Sequence, residues 1–423
     1  MIARPYLSAL FVTLLLAWST ALAQAPKTIT FWFEGESASD VALFQAAADR
    51  FAAQYDQPIR VEITAFAFED MLRTMPLALD GGTGPDIAAV PPLTQGSDRY
   101  ALAGHLVELT DVTAERGWID NYSADVLAYN NAGTPGQIFG VPYSLTTVGV
   151  YYNGDVFDEM GLEVPTTFDE FEALLATLKE AGMTPVSVGA RDGWPLDHVW
   201  SQIVHTSIPV EHIARLESLD PDVAYDVPEL IAASYKVLEW TEAGYLDPDM
   251  LSVSYADANA MFISGQVPMT ITGTWAQADF DQQPSFQARF FPMPQYDPSL
   301  PWNAGGSAPY NNLVVPHGDN ADIALDLLDY LLSEENMTAF WEAGVLVSFQ
   351  FAEAPTASTV LQGHIYEAML NTGPGYFHGV ISPLVNRELW AAHQAIVSRA
   401  LTPEQALAQV QEVYAAEAEA ANR

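Results

Sequence analysis

The chain has 423 residues, 49% apolar and 16% charged, a globular composition that excludes a disordered chain and leaves room for two or three domains. Its 54 acidic and 15 basic residues give a formal charge of −39, which repels phosphate backbones and anionic lipid heads and argues against nucleic acid or membrane surfaces as partners. There is no cysteine, so disulfides, thiolate metal sites and a lipid anchor on an N-terminal cysteine are all excluded.

Residues 1–23 read as a cleaved signal peptide rather than as part of the fold. Arg4 supplies the early cation, an apolar run spans Leu7 to Trp18, and Ala21-Leu22-Ala23 precedes Gln24 in the small-x-small pattern of a signal peptidase site. A soluble periplasmic protein without a lipid anchor is the expectation. An apolar-rich strand then runs from Thr28 to Phe33. A helix from about Ser39 places Phe44, Ala48, Phe51 and Tyr55 on one face. Ile59, Val61 and Ile63 alternate in a second strand, Ile59 to Ala65. A further helix leads to the turn Asp80-Gly81-Gly82-Thr83-Gly84-Pro85, after which Asp86 to Val90 reads as a buried strand. Strands alternating with helices imply parallel βαβ units.

The same logic returns in the middle of the chain. Phe139 to Tyr152 is a long extended apolar segment. Thr167-Phe168-Asp169-Glu170 is a capping box opening a helix that ends at Gly182, with a strand at Pro185 to Val188. Helices follow over Pro228–Ala243 and Asp257–Ser264, then a strand over Val267–Ile271. The last third has strands at Ala288–Phe291 and Asn311–Val315. Helices then run over Ala321–Leu332, Glu334–Ala343, Thr359–Leu370, Arg387–Arg399 and Pro403–Ala420. No low-complexity linker separates the two α/β units, which points to halves joined by crossing strands.

Six segments, in order, carry a resemblance. They are Thr28-Ile29-Thr30-Phe31-Trp32; Thr83-Gly84-Pro85-Asp86-Ile87; and Gly140-Val141-Pro142-Tyr143 continuing to Val150-Tyr151-Tyr152-Asn153. Then come Met269 to Ala276 around Gly273-Thr274-Trp275; Gly305-Gly306-Ser307 followed by Asn312 to Val315; and Thr402-Pro403-Glu404-Gln405-Ala406-Leu407. With them the chain resembles the family 1 extracellular solute-binding proteins, the maltose-binding-protein-like receptors of ABC importers. The resemblance implies an α/β, two-lobed periplasmic binding protein fold (type II, Venus-flytrap) with crossings near Leu145, Ala288 and Leu332. The first lobe would hold residues 24–145 and 289–332, and the second 146–288 and 333–423. It also implies a monomer that carries a small neutral carbohydrate, without a cofactor, to the permease subunits of an ABC importer.

A sugar presents hydroxyls at its edge and C–H patches on its faces, so its site needs planar side chains as walls and polar groups at the rim. Trp275 is the sharpest candidate: it follows Gly273-Thr274 at the end of a buried strand, where the resemblance implies a stacking platform and the plain alternative is lobe packing. Glu36 and Ser37 match the family's first-lobe contact loop, although a carboxylate at Glu36 also suits a helix N-terminus. Asp86 is either a ligand contact or an Asx turn residue. Tyr143 is either a hinge-side contact or packed hinge. By the resemblance Trp194 belongs to the second-lobe wall and Trp390 to an aromatic that closes the pocket; loop packing and an amphipathic core face are the alternatives. Gly305, Gly306 and Ser307 offer close backbone approach or a β-bulge. One departure from the family is the loop Val90-Pro91-Pro92-Leu93, which lacks the aromatic and acid of maltose-type receptors and so argues for a smaller or different glycan than a long maltodextrin.

A receptor for a non-sugar solute is the alternative within the class, and a secreted glycoside hydrolase the rival from another. The hydrolase needs two carboxylates across a bound sugar, and no hydrolase motif marks such a pair. His198, His205 and His212 are spaced by seven, about 10 Å of helical rise, too far apart to share one ion.

Overall fold

A computed structural model describes residues 25–35, 37–93, 96–122, 124–282, 284–300, 307–353, 355–370 and 382–421. The expected signal peptide, Glu36, Gly305 and Gly306 lie outside the described residues.

Eight strands form the frame: β1 (Lys27–Glu34), β2 (Ile59–Phe66), β3 (Ile87–Val90), β4 (Gly140–Asn153), β5 (Val186–Ser187), β6 (Met269–Gly273), β7 (Ala288–Phe291) and β8 (Ser307–Val314). Their order is β2-β1-β3-β8-β4-β6-β5, with β7 also on β4. β1 is parallel to β2 and β3, and β5 to β6, as βαβ units require. The alternation expected in β2 is seen in the buried Ile59 and Val61, and in β1 Ile29, Phe31 and Phe33 are buried. They meet Phe44, Ala48 and Phe51 of the helix Ala38–Gln54 in one core. Thr167 and Glu170 form the expected capping box, and Gly182 adopts the left-handed conformation with φ of 83° that ends this helix region.

The long strand β4 makes the fold two-lobed. Gly140 to Thr147 pair antiparallel with β8, while Val148 to Asn153 pair with β6 and β7. One strand thus leaves the first lobe's sheet and enters the second's, and the crossing falls where the expected one near Leu145 lies. The second lobe has a core built around Val150, Leu178, Trp200, Trp240, Ile271, Leu389 and Val410, while the first lobe's core continues through the crossings to Tyr151, Phe280 and Phe290.

The other two crossings fall later than expected. Strand β7 pairs with Val150–Asn153 of β4, so the chain is still in the second sheet after Ala288. It returns through β8, which meets Thr147 at Ser307 and β3 at Asn312 to Val314. Beyond Leu332 the helix Glu334–Glu342 stays on the first lobe: Arg50 Nη2 donates to Asn336 Oδ1 at 2.7 Å, and Phe340 packs on Phe44. The return segment comes after Gly344, where Leu145 N donates to Leu346 O at 2.6 Å and Ser348 N to Tyr143 O at 3.1 Å around an isolated bridge of Ser144 with Val347. The helix Val360–Leu370 then lies against β7 in the second lobe. Apolar patterning marks strands well, but it does not say which sheet a strand joins.

Candidate functional site

Behind the crossings the lobes enclose a cavity of about 290 Å³. The first lobe lines it with Phe33, Glu34 and Gly35 at the end of β1, Ser37 and Asp40 at the start of the next helix, and Phe68 and Glu69 just after β2. The second lobe contributes Asp192, Trp194 and His198, then Tyr255 and Asn259, then Trp275 and Asp279, and finally Trp390. Tyr310 and Asn311 reach it from the crossing strand β8. Many of these follow a strand's C-terminal end or open a helix, the place where α/β sheets present loops and N–H groups to ligands.

Trp275 has a specific support. It follows β6, and a Cβ on Gly273 would lie 2.1 Å from its Cζ3, so the indole rests on a glycine backbone that no other residue can replace without displacing the ring. Its Nε1 donates to the Tyr255 hydroxyl at 2.8 Å, fixing the ring plane. Trp194 stands edge-on to it at 6.0 Å and against Tyr255 at 4.4 Å, while His198 lies 5.3 Å away. The result is a three-ring wall with Tyr310 at 6.3 Å as its hinge-side border.

Two contacts join the lobes across the mouth. Phe68 and Trp390 meet at 6.4 Å, edge to face, and Ser39 Oγ donates to Asp279 Oδ1 at 3.2 Å. Trp390 is itself set by a close approach, since a Cβ on Gly193, whose φ is 83°, would lie 2.9 Å from its Cβ. Its Nε1 is buried with no hydrogen-bond partner among the described residues. Asp40 sits beside the Ser37 hydroxyl, which accepts from Asp40 N at 3.2 Å. Burial, and after it the charge of Asp279, push the Asp40 carboxyl up to about 7, against the hydrogen bond from Ser37.

Of the candidates from the sequence, Ser37, Trp194, Trp275 and Trp390 border the cavity. Two do not. Asp86 is consumed in holding β1 to β3: it accepts from Thr30 N at 2.8 Å, Thr30 Oγ1 at 2.9 Å and Asn320 Nδ2 at 2.8 Å, long-range contacts that fit neither the ligand contact nor the Asx turn expected. Tyr143 is 2% exposed, packed on Phe33 and Phe44, and its hydroxyl accepts from Asn311 Nδ2 at 3.1 Å, so it stands behind the cavity as packed hinge. Ser307 begins β8 opposite Thr147. None of Val90-Pro91-Pro92-Leu93 borders the cavity. The residues that sequence reading passed over are Glu34, Asp40, Phe68, Glu69, Tyr255, Asn259, Asp279, Tyr310 and Asn311. Four of them, Asp40, Phe68, Glu69 and Asp279, lie in the first turn of a helix that follows a strand, a positional signal available for Phe68 and Glu69 directly behind β2. Asn311 also carries a backbone clue, a left-handed φ of 52° in a non-glycine residue beside the cavity. No group of three or more His, Asp or Glu side chains gathers as a metal site among the described residues.

Two α/β lobes, strands crossing behind a cleft, and an aromatic wall facing polar groups define a protein that encloses a small polar guest. The comparisons agree with that class. The family model for bacterial extracellular solute-binding proteins matches residues 35–338, and the chain belongs to that family, one of binding receptors rather than enzymes. Among curated relatives, the multiple sugar-binding protein of Streptococcus mutans is 26% identical over 249 residues, 57% of this chain and 54% of the relative. The arabinooligosaccharide-binding protein of Halalkalibacterium halodurans is 23% identical over 330 residues, 74% of this chain and 69% of the relative. The chain spans about half the length of the first curated relatives it matches. A solved chitin oligosaccharide binding protein superposes with a TM-score of 0.81 at 22% identity over 93% of this chain and 99% of its own. The solute-binding protein RafE in complex with raffinose gives 0.76 at 17% identity over 92% and 99%. These structures establish the two-lobed fold.

Proposed function

We propose that this protein is a secreted, periplasmic, monomeric receptor that captures a carbohydrate of one or two rings in the interlobe cleft and delivers it to the permease of an ABC importer. The observation that carries the reading is the wall of Trp275, Trp194 and Tyr255 set opposite Glu34, Ser37 and Asp40 across one cavity. The indole faces suit the C–H faces of a pyranose, and the carboxylates accept its hydroxyls. The names of the relatives, a multiple sugar-binding protein and an arabinooligosaccharide-binding protein, support the same class of guest.

A guest that touches both lobes favours closure because it makes more contacts in the closed form than in the open one. β4, β8 and the segment after Gly344 absorb the change, in the hinge closure general to periplasmic binding proteins. The permease then reads the closed surface. Calorimetric titration of the mature protein with mono- and disaccharides tests the reading. One-to-one binding without release of a product supports it. Turnover of the sugar assigns the cleft to a hydrolase instead, and binding confined to solutes without a sugar ring assigns it to another solute.

A further inference from the structure

The polar groups around the cavity are unbalanced in kind. Glu34, Asp40, Glu69, Asp192 and Asp279 all border it, and among the described residues no lysine or arginine does. Ionised carboxylates only accept hydrogen bonds. Asp192 is answered within the protein, by Tyr255 N at 2.7 Å and by Arg191 at 3.4 Å. Asp40 and Asp279 come from opposite lobes and face the same space, with the Ser39 hydroxyl on Asp279 as the link across the cleft. A neutral sugar can use Ser37, Asn259 and Asn311 as well as the carboxylates, but it offers no positive charge to offset five acids.

The remaining wall has the opposite preference to a water-filled acidic cleft. Trp194, Trp275, Tyr255, Tyr310 and Trp390 present aromatic rings, whose negative faces attract cations, most strongly where water is displaced. Acceptor-only carboxylates and aromatic faces together complement a group with three donors, a positive charge and no acceptor. That group is an ammonium. The unpartnered Nε1 of Trp390 remains to donate to a hydroxyl.

On the reading that this cleft holds a saccharide, we infer that its preferred guest is an amino sugar with a free, protonated amine, bound with the ammonium between Asp40 and Asp279. The N-acetylated and plain hydroxyl counterparts lack that charge. The electrostatics of the free protein are consistent: burial, and after it the charge of Asp279, push the Asp40 carboxyl up to about 7, and a cation bound between the two carboxylates opposes that rise. Binding of the amine near neutral pH therefore releases protons.

The test is calorimetry on the mature full chain with matched triplets: glucosamine, N-acetylglucosamine and glucose, and the same three forms of galactose, alone and as β-1,4-linked disaccharides of the gluco series. The expected result is that an amine binds about tenfold or more tighter than its hydroxyl and N-acetyl counterparts, with a preference that shrinks as salt rises. Repeating the titration in buffers of different ionisation enthalpy reads the proton release on the wild-type protein. Asp279→Asn is expected to bring the three forms to within about threefold of one another; Asp40→Asn serves if a melt shows that Asp279→Asn is unfolded. Equal or tighter binding of the hydroxyl or N-acetyl form overturns the amine inference and leaves the saccharide receptor standing. Failure of every sugar in the panel to bind a folded protein overturns both.

Discussion

Replacing Trp275 by alanine is the most informative single change. The indole is half-buried, rests on Gly273, and turns its remaining surface to the cavity beside Trp194 and Tyr255. One pyranose face laid on such a ring hides roughly 60–80 Å² of apolar surface, which at about 25 cal/mol per Å² is worth about 1.5–2 kcal/mol, or roughly 10–30-fold in affinity. The Tyr255 hydroxyl loses the 2.8 Å donation from Trp275 but keeps the one from Thr272 Oγ1 at 3.3 Å, so the wall survives the change. Calorimetry with a saccharide that saturates the wild type measures the loss, and a thermal melt checks that the variant is folded. Trp275→Phe, which keeps a flat ring, is expected to retain most of the affinity. A folded Trp275→Ala protein with affinity within about twofold of wild type refutes the stacking argument.

Gly273→Ala leaves every cavity side chain in the sequence yet drives a methyl into the Trp275 ring, so it should weaken saccharide binding by about tenfold or more in the same calorimetric assay; unchanged binding shows that the ring position is not critical. Asp86→Ala strips the acceptor from three donors and should cost about 1–3 kcal/mol in denaturant unfolding while leaving ligand affinity intact; a large loss of affinity in a stable variant returns Asp86 to the site. Glu217 supplies a pH test. Burial pushes its carboxyl from 4.5 up to about 8, and its Oε1 has no hydrogen-bond partner among the described residues. The folded state therefore holds this proton where the unfolded chain has released it, and the group's contribution to stability, complete below the unfolded value, falls as pH rises through this window. Glu217→Gln should flatten the decline in melting temperature between pH 5 and 8 by the equivalent of about 1–2 kcal/mol. An identical slope in wild type and variant removes Glu217 as its cause.

Strands and helices were legible because their signals are local. Ile59 and Val61 alternate, Thr167 and Glu170 form a box, and each does in the structure what its spacing dictates. The last long helix but one starts at Pro383, ahead of the Arg387 expected, because Ser382 caps it and proline suits the first turn. The three tryptophans of the cavity were legible for a related reason: Trp194 and Trp275 directly follow a glycine-led turn, where the backbone must pass close to a ring. The acidic half of the site was not. Asp40 and Asp279 are 239 residues apart, each in the first turn of a helix, where a carboxylate is already favoured by the helix dipole. Only the closing of one lobe on the other brings them together. Asp86 shows the converse, since a carboxylate at the end of an αβ turn looks the same in sequence whether it holds a ligand or its own neighbouring strand.

The account rests on the space between the lobes, and a crystal structure of the protein grown with a saccharide that it binds in solution tests it most directly. Density for the sugar should lie against the Trp275 face, with Trp194 and Tyr255 beside it and contacts to Glu34 or Asp40 from the opposite lobe. A sugar seated on the outer surface of one lobe, with the space between Trp275 and Asp40 filled only by water, contradicts it.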